Sequence, residues 1–166
     1  AKTFYLTVKS NSLEGMVTIL GCTTTNRATN VYFPLVNAGA STLTITSGSY
    51  FKNVNFTGST STITASGLNM GGNITLATGG TYTAVVPTFL ASGTVTSNSK
   101  TVGNTTINGS GITVTLADAF STTGVLTVTQ GTFAAVTFAV TTGTFASSNT
   151  NTRTISLGTA TWTISG

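Results

Sequence analysis

Two carboxylates, Glu14 and Asp118, are the only acidic side chains in this 166-residue chain, and it contains no histidine. The lack of histidine removes the usual general base and the commonest metal ligand. Cleavage of a glycosidic bond needs two carboxyl groups a few ångströms apart, but these two lie far apart in the sequence. Calcium sites also need several oxygen ligands. We therefore expect no enzyme activity, no metal and no cofactor, with Asp118 in a turn or short helix and Glu14 in a solvated loop.

Threonine hydroxyls are the remaining groups that could build a site. Thr alternates with Ile, Leu or Val in several short runs, which places hydroxyls on one side of a strand and apolar groups on the other. Hydroxyl rows in register on neighbouring strands could organise water, as in the ice-binding solenoids that this pattern resembles. The alternative is a Thr surface that only keeps a weakly charged protein soluble. The candidate rows contain Thr42, Thr44, Thr46, Thr60, Thr62 and Thr64.

Two aromatic residues, Tyr82 and Trp162, are each flanked by Thr on both sides. Either ring could stack on a sugar, and the alternative that we prefer is an inward position in the core. Phe133, Phe138 and Phe145 recur among apolar residues. We expect these three rings to stack inside the protein.

The composition bounds the possible partners. Charged residues make up 5% of the chain, against roughly 25% in an ordinary globular protein. The net charge of +4 comes from bases that are scattered without a run, and no aromatic cluster surrounds them as a nucleic-acid groove requires. Thr or Gly interrupts every apolar run well before the roughly 18 residues of a membrane span. We therefore predict neither nucleic-acid binding nor membrane insertion.

The elements that must position these residues are short strands. From about Ser41 onward, strand-like runs alternate with Gly, Asn and Ser turns every 8 to 12 residues or so. One run, residues 126–133, is echoed by residues 138–145 at an offset of 12. Such repeats are typical of stacked coils. We predict an all-β parallel β-helix (β-solenoid) over residues 41–166 and a less regular cap or connector over residues 1–40, with a β-sandwich or jelly roll as the alternative.

Part of the chain resembles a known group of proteins. The run Tyr50–Gly58 looks like one coil of a right-handed parallel β-helix, and residues 95–162 are similar to repetitive regions of phage tail-fibre and other virion surface proteins. The second similarity rests on the order of several elements, including residues 96–101, 107–109 and 147–155. The resemblance implies a β-helix that is exposed on a virion or outside the cell and is frequently a homotrimer. It implies no particular ligand.

These observations together predict a structural and adhesive segment of a virion fibre, spike or surface fibre, with host attachment through a polar surface. Expected partners are copies of the same chain, preferentially in a trimer, and a host-cell surface glycan or protein. The alternative is a subunit of a polymerising extracellular filament, in which strands add between copies, and an ice-binding solenoid is the third candidate. Because the chain closes on a strand-like run at residues 162–166, we expect the solenoid to continue beyond it.

Overall fold

A computed structural model describes the backbone of residues 3–5, 16–19 and 30–32, and the complete residues 42–45 and 47–166. The described residues form strands, turns and bends without a helix. The strands that come first in the chain are β1 (Thr3–Tyr5), β2 (Met16–Ile19), β3 (Asn30–Tyr32), β4 (Thr42–Ile45), β5 (Ser49–Phe51), β6 (Asn53–Asn55), β7 (Thr62–Ala65), β8 (Leu68–Met70) and β9 (Ile74–Thr75). They are followed by β10 (Thr81–Thr83), β11 (Pro87–Phe89), β12 (Gly93–Thr96), β13 (Thr101–Val102), β14 (Thr105–Leu116), β15 (Phe120–Ala134), β16 (Val140–Ala146), β17 (Arg153–Ser156) and β18 (Trp162–Ile164).

The strands stack as a β-solenoid of about six coils, and every pairing between described strands is parallel. Each coil has three faces. The first face contains β2, β4, β7 and β10, then β13, the start of β15, the start of β16, and β18. The second face contains β5, β8 and β11, then the start of β14, the middle of β15 and the end of β16. The third face contains β1, β3, β6, β9 and β12, then the ends of β14 and β15, and β17.

Residues that pair between neighbouring coils lie 18 to 22 positions apart from Thr42 onward. Thr88 pairs with Thr106 at the short extreme, and Gly131 pairs with Arg153 at the long one. The 12-residue similarity seen in the sequence is therefore not the coil repeat. Phe133 faces Ile155 on the third face, whereas Phe145 faces Leu126 on the second. The repeated Gly-Thr-Phe pattern recurs on different faces because both faces need the same alternation of inward and outward side chains.

Alternation along each strand builds a continuous core. The pattern is clearest in β4 and β7, where buried Leu43 and Ile63 lie directly over one another and the flanking Thr residues face outward. Phe133 is almost completely buried, while Phe138 and Phe145 are partly buried and pack against the core. Because a single coil cannot bury its apolar side, each coil depends on the coils above and below it.

The predicted parallel β-solenoid is confirmed, and the β-sandwich alternative is wrong, because strands of the same face pair in parallel from one coil to the next, with one interruption between β10 and β13 on the first face. In the N-terminal part, β2 pairs with β4 and β3 pairs with β6, so these strands extend the same two sheets. The other positions of residues 1–40 lie outside the described residues, and their role as a cap or connector stays a prediction.

Candidate functional site

Two columns of threonine run across the first face. In the first column Thr42 pairs with Thr62, and Thr62 pairs with Thr81. Two positions further along each strand, the second column joins Thr44, Thr64 and Thr83 in the same register. The backbone of Thr18 in β2 pairs with that of Thr44. The Thr-x-Thr pattern thus repeats in register on three successive coils, and we call these six residues the Thr array.

The hydroxyl groups of the Thr array are available to solvent. Thr81 and Thr83 are exposed, and the four Thr residues of β4 and β7 are half-buried. None of the six hydroxyls has a hydrogen-bond partner among the described residues. Parallel strands place them roughly 4.8 Å apart between coils and about 6.6 Å apart along a strand. The result is a regular, uncharged grid of groups that each donate one hydrogen bond and accept others.

The grid includes four of the six threonines predicted from the sequence. Thr60 is exposed but precedes β7 and lies outside both columns, and Thr46 lies outside the described residues. Thr81 and Thr83 were not predicted as hydroxyl-row residues, although the Thr-Tyr-Thr run around Tyr82 carried the same alternation. The sequence could not supply the 19-residue step from β7 to β10 that brings this run into register.

A second hydroxyl column lies further along the first face. Thr101, Ser121, Thr141 and Thr163 are paired in that order through β13, β15, β16 and β18. One residue further along these strands, two of the side chains are buried hydroxyls, those of Thr122 and Thr142. The Thr122 hydroxyl donates a hydrogen bond to the Gly103 carbonyl at 2.5 Å. Ala84 has a positive φ of 52° just after β10. This irregular backbone separates the Thr array from the second column.

Tyr82 points away from the Thr array and into the protein. Its ring packs edge-on against Phe56 with 5.9 Å between the ring centroids, and its hydroxyl accepts a hydrogen bond of 2.5 Å from the Ala77 amide. Burial raises the pKa of the Tyr82 hydroxyl to about 12, and the Ala77 hydrogen bond acts in the opposite direction. The ring therefore takes the inward position considered above, and sugar stacking by Tyr82 stays a prediction.

Trp162 also packs against the core. Its indole ring meets Phe145 with 4.9 Å between the centroids and Phe133 with 6.1 Å, and its Nε1 donates to the Thr142 hydroxyl oxygen at 3.1 Å. The ring is half-buried. These contacts fix its orientation, and its use as a sugar platform stays a prediction.

Asp118 supplies the one carboxylate among the described residues, and it joins two coils. It lies in the bend between β14 and β15, where its two oxygens accept hydrogen bonds from the Ser97 amide at 2.7 Å and the Asn98 amide at 2.5 Å. Asn98 extends the junction to a third coil, because its side chain donates to the Leu76 carbonyl. Asn98 also has a positive φ of 51°. The carboxylate thus stabilises a corner of the solenoid, while Glu14 lies outside the described residues.

The part of the chain that the structure describes holds no group of three or more residues suited to bind a metal ion. A helix long and apolar enough to cross a membrane is likewise not found in that part. Comparison with protein-family models, with curated proteins and with solved structures gave no match to this chain.

Proposed function

We propose that this chain is a structural and adhesive segment of a fibre on a virion, such as a phage tail fibre or spike, or on another surface outside the cell. The observation that carries the proposal is the continuous solenoid, in which a single core and the parallel pairing on the second and third faces connect the coils from β4 to β18. Its mechanism is stiffness combined with the display of a polar surface for host attachment, without catalysis.

The physical basis of the stiffness is the coupling between neighbouring coils. Bending the rod would break backbone hydrogen bonds on one side and open the core on the other. Corner bonds add to this resistance, as in the Asp118 junction, which links β14–β15 to the turn that follows β12. A rod of this kind holds its surface residues at fixed distances, which suits repeated contacts with a host.

The surface fits a protein that works outside a cell. Hydroxyl and amide groups replace charge on the outward positions, and the few charges of the described residues are Lys52, Lys100, Asp118 and Arg153. Such a surface stays hydrated through hydrogen bonds, which salt screens much less than it screens charge. The resemblance to phage tail-fibre repeats supports the same setting, and the proposal includes the homotrimer that is frequent in those fibres.

Two measurements test the proposal. Light scattering over a range of protein concentrations should give a fixed mass of three subunits. A mass that grows with concentration would replace the trimer by the polymerising filament, and a monomer at every concentration would contradict the trimer. The labelled protein should also attach to cells of some strains in a bacterial panel, and attachment to none of them would count against an adhesive role.

A second candidate, ice binding, is favoured by the Thr array. Its hydroxyls are in register over three coils and have no hydrogen-bond partner among the described residues, so that they can bind ordered water instead. The test is the inhibition of ice recrystallisation. A variant with Thr62→Val and Thr64→Val keeps the β-branched shape but removes two central hydroxyls, and it should lose most of the activity.

The matched control changes the same pattern on the third face, as Thr94→Val and Thr96→Val, where the two threonines also flank a buried valine. This control should keep full activity. If the unchanged protein does not affect ice growth, or if both variants lose activity equally, ice binding is refuted. The Thr array is then only a hydrated surface.

A further inference from the structure

A groove of about 420 Å³, lined mostly by polar residues, opens at the corner between the second and third faces. It spans three coils, with Ser110 and Gly111 from the bulge inside β14, Gln130 to Thr132 from β15, and Asn151 to Thr154 from the loop before β17 and the start of that strand. We call it the corner groove. Its volume lies within the range of roughly 300–1,000 Å³ that is usual for small-molecule sites.

The groove exists because neighbouring coils need different lengths of chain to turn the same corner. Paired positions on the two faces are separated by seven residues from Thr106 to Thr113 in β14, but by only five from Thr127 to Thr132 in β15. In the next coil the corresponding separation, from Ala146 to Thr154, is eight residues. The short corner of β15 is therefore recessed between two longer corners that project beyond it.

Gly131 keeps the floor of the groove low. Its φ is +92°, and a Cβ at this position would lie 2.6 Å from the Gly109 carbonyl oxygen and 2.9 Å from Cγ1 of Ile112. A side chain at this position would collide with the bulge of β14. Glycine is thus required both by its backbone conformation and by close packing.

One wall is ordered by Arg153. Its Nη1 donates to the Asn149 carbonyl at 2.8 Å and to the Asn151 carbonyl at 2.7 Å, and its Nη2 donates to the Ser147 carbonyl at 2.9 Å. Nε donates to the Ser147 hydroxyl. The loop of residues 147–152 therefore wraps around the guanidinium group, which fixes the wall before any ligand arrives.

The floor and the other wall carry amide and hydroxyl groups. The Gln130 side chain donates to the Asn108 side chain at 3.2 Å, and Asn151 donates to the Thr129 carbonyl at 3.4 Å. These contacts orient the amides, while the remaining polar lining comes from the hydroxyls of Ser110, Thr132, Thr152 and Thr154. A lining of this type matches a ligand with many hydroxyl groups.

The charge at the groove is positive. Arg153 is bonded to carbonyl, amide and hydroxyl oxygens, which do not neutralise it, and no carboxylate of the described residues lies beside it. Asp118, the one described acid, is engaged with Ser97 and Asn98 at another corner. A cleft with one sign of charge concentrates ligands of the opposite sign.

We infer that the corner groove binds an acidic saccharide, with the sugar hydroxyls on the amide and hydroxyl lining and the carboxylate near Arg153. The inference rests on the proposed attachment function and gives it a site and a ligand class. The adhesive surface would then lie at one corner of the solenoid, on three successive coils, rather than on the Thr array.

Binding of two carboxylated probes, an oligogalacturonate and sialyllactose, to the whole protein tests the inference by calorimetry. We expect saturable binding of at least one probe, and roughly tenfold weaker binding of the neutral counterpart, an oligogalactose or the methyl ester of sialyllactose, because the electrostatic contribution is lost. Added salt should weaken binding of the acidic probe. Failure of both acidic probes to bind would overturn the inference, as would equal binding of the neutral ones.

Two substitutions and one matched control test whether the ligand binds in the corner groove. Ser110 is exposed on the bulge, so Ser110→Trp should fill the groove and abolish binding without disturbing the core. Thr137→Trp is the matched control, because Thr137 is an exposed turn residue at a different corner, and it should leave binding unchanged. Asn151→Ala should weaken binding about tenfold through the loss of its amide. Full binding by Ser110→Trp would show that the ligand lies elsewhere and would overturn the assignment.

The cell-attachment assay separates this inference from the proposed function. Cells that bind the unchanged protein and the Ser110→Trp variant equally well would refute the groove but leave the adhesive role intact. An acidic saccharide bound in the groove by a protein that attaches to no cell would refute the adhesive role but leave the groove intact.

Discussion

Two glycines at the same corner of the solenoid should respond very differently to the same substitution. Gly111 and Gly131 both have positive φ angles, +69° and +92°. A Cβ on Gly111 would have no atom within 4 Å, whereas a Cβ on Gly131 would lie 2.6 Å from the Gly109 carbonyl oxygen and 3.0 Å from the Ile112 carbonyl oxygen. Gly111→Ala therefore tests backbone conformation alone, and Gly131→Ala tests conformation together with packing.

The expected magnitudes follow from these two contributions. An L-residue in the left-handed region costs about 1–2 kcal/mol, and this should be the whole effect of Gly111→Ala on the free energy of unfolding. Forcing an extra methyl group into a packed site costs about 1–3 kcal/mol more. Two of the three crowding atoms at Gly131, the carbonyl oxygens of Gly109 and Ile112, belong to the backbone of β14, which cannot rotate away. We therefore expect Gly131→Ala to lower stability by about 2–5 kcal/mol.

The assay needs a global and a local measurement, because coils of a solenoid can open separately. Urea denaturation followed by circular dichroism gives the global change. Hydrogen exchange at the amide of residue 131, which donates to the Thr152 carbonyl at 3.2 Å, gives the local one. That amide should exchange roughly 5- to 100-fold faster in Gly131→Ala than in Gly111→Ala, since the extra cost is about 1–3 kcal/mol and about 1.4 kcal/mol corresponds to a factor of ten. Equal effects of the two substitutions would refute the recessed-corner geometry from which the groove is derived.

Three further predictions concern single side chains. Asp118→Ala should lower stability by about 2–4 kcal/mol, because two backbone amides lose a charged acceptor, and Asp118→Asn should lose about half as much in the same denaturation assay. The pKa of the Tyr82 hydroxyl is raised in the folded protein to about 12, so the free energy of unfolding should be constant below pH 10 and fall between pH 10 and 12. After allowance for the partial exposure of this side chain, the loss is about 1–2 kcal/mol. The Tyr82→Phe variant should show no such fall when unfolding is measured at high pH. Arg153→Lys keeps the charge but not the guanidinium fork, so amide exchange in residues 147–152 should accelerate while exchange in the core around Phe133 stays unchanged; uniform acceleration would contradict a local role.

The faces of the solenoid could be predicted because they follow a simple physical rule. Where Thr alternates with an apolar residue, as in Thr62-Ile63-Thr64, the two-residue period of a strand fixes which side chain is inward. That rule placed Ile63 in the core and four of the six chosen threonines in the Thr array. It could not give the coil length, and the 12-residue similarity suggested a shorter repeat than the one that the register shows.

The positions of the two aromatic rings that Thr flanks could also be predicted only in part from the sequence. Thr flanks both Tyr82 and Trp162, and alternation alone assigns both rings to the side opposite the hydroxyls. Whether that side is packed depends on the residues above and below, such as Phe56 for Tyr82 and Phe145 for Trp162. These neighbours are 26 and 17 residues away in sequence, so their contacts depend on the register.

The corners were the least predictable part, and the reason is also the reason that they are suited to function. A face must keep its register with the coils on both sides, because a shift of one residue would turn every inward side chain outward. A corner has no such constraint, so it can lengthen by two or three residues without disturbing the core. Neighbouring corners of unequal length produce recesses that no single coil contains, as the segments around Gly131 and Arg153 illustrate. Specific binding by a protein of this architecture should therefore change through corner length, while the hydroxyl-covered faces keep the rod straight and hydrated.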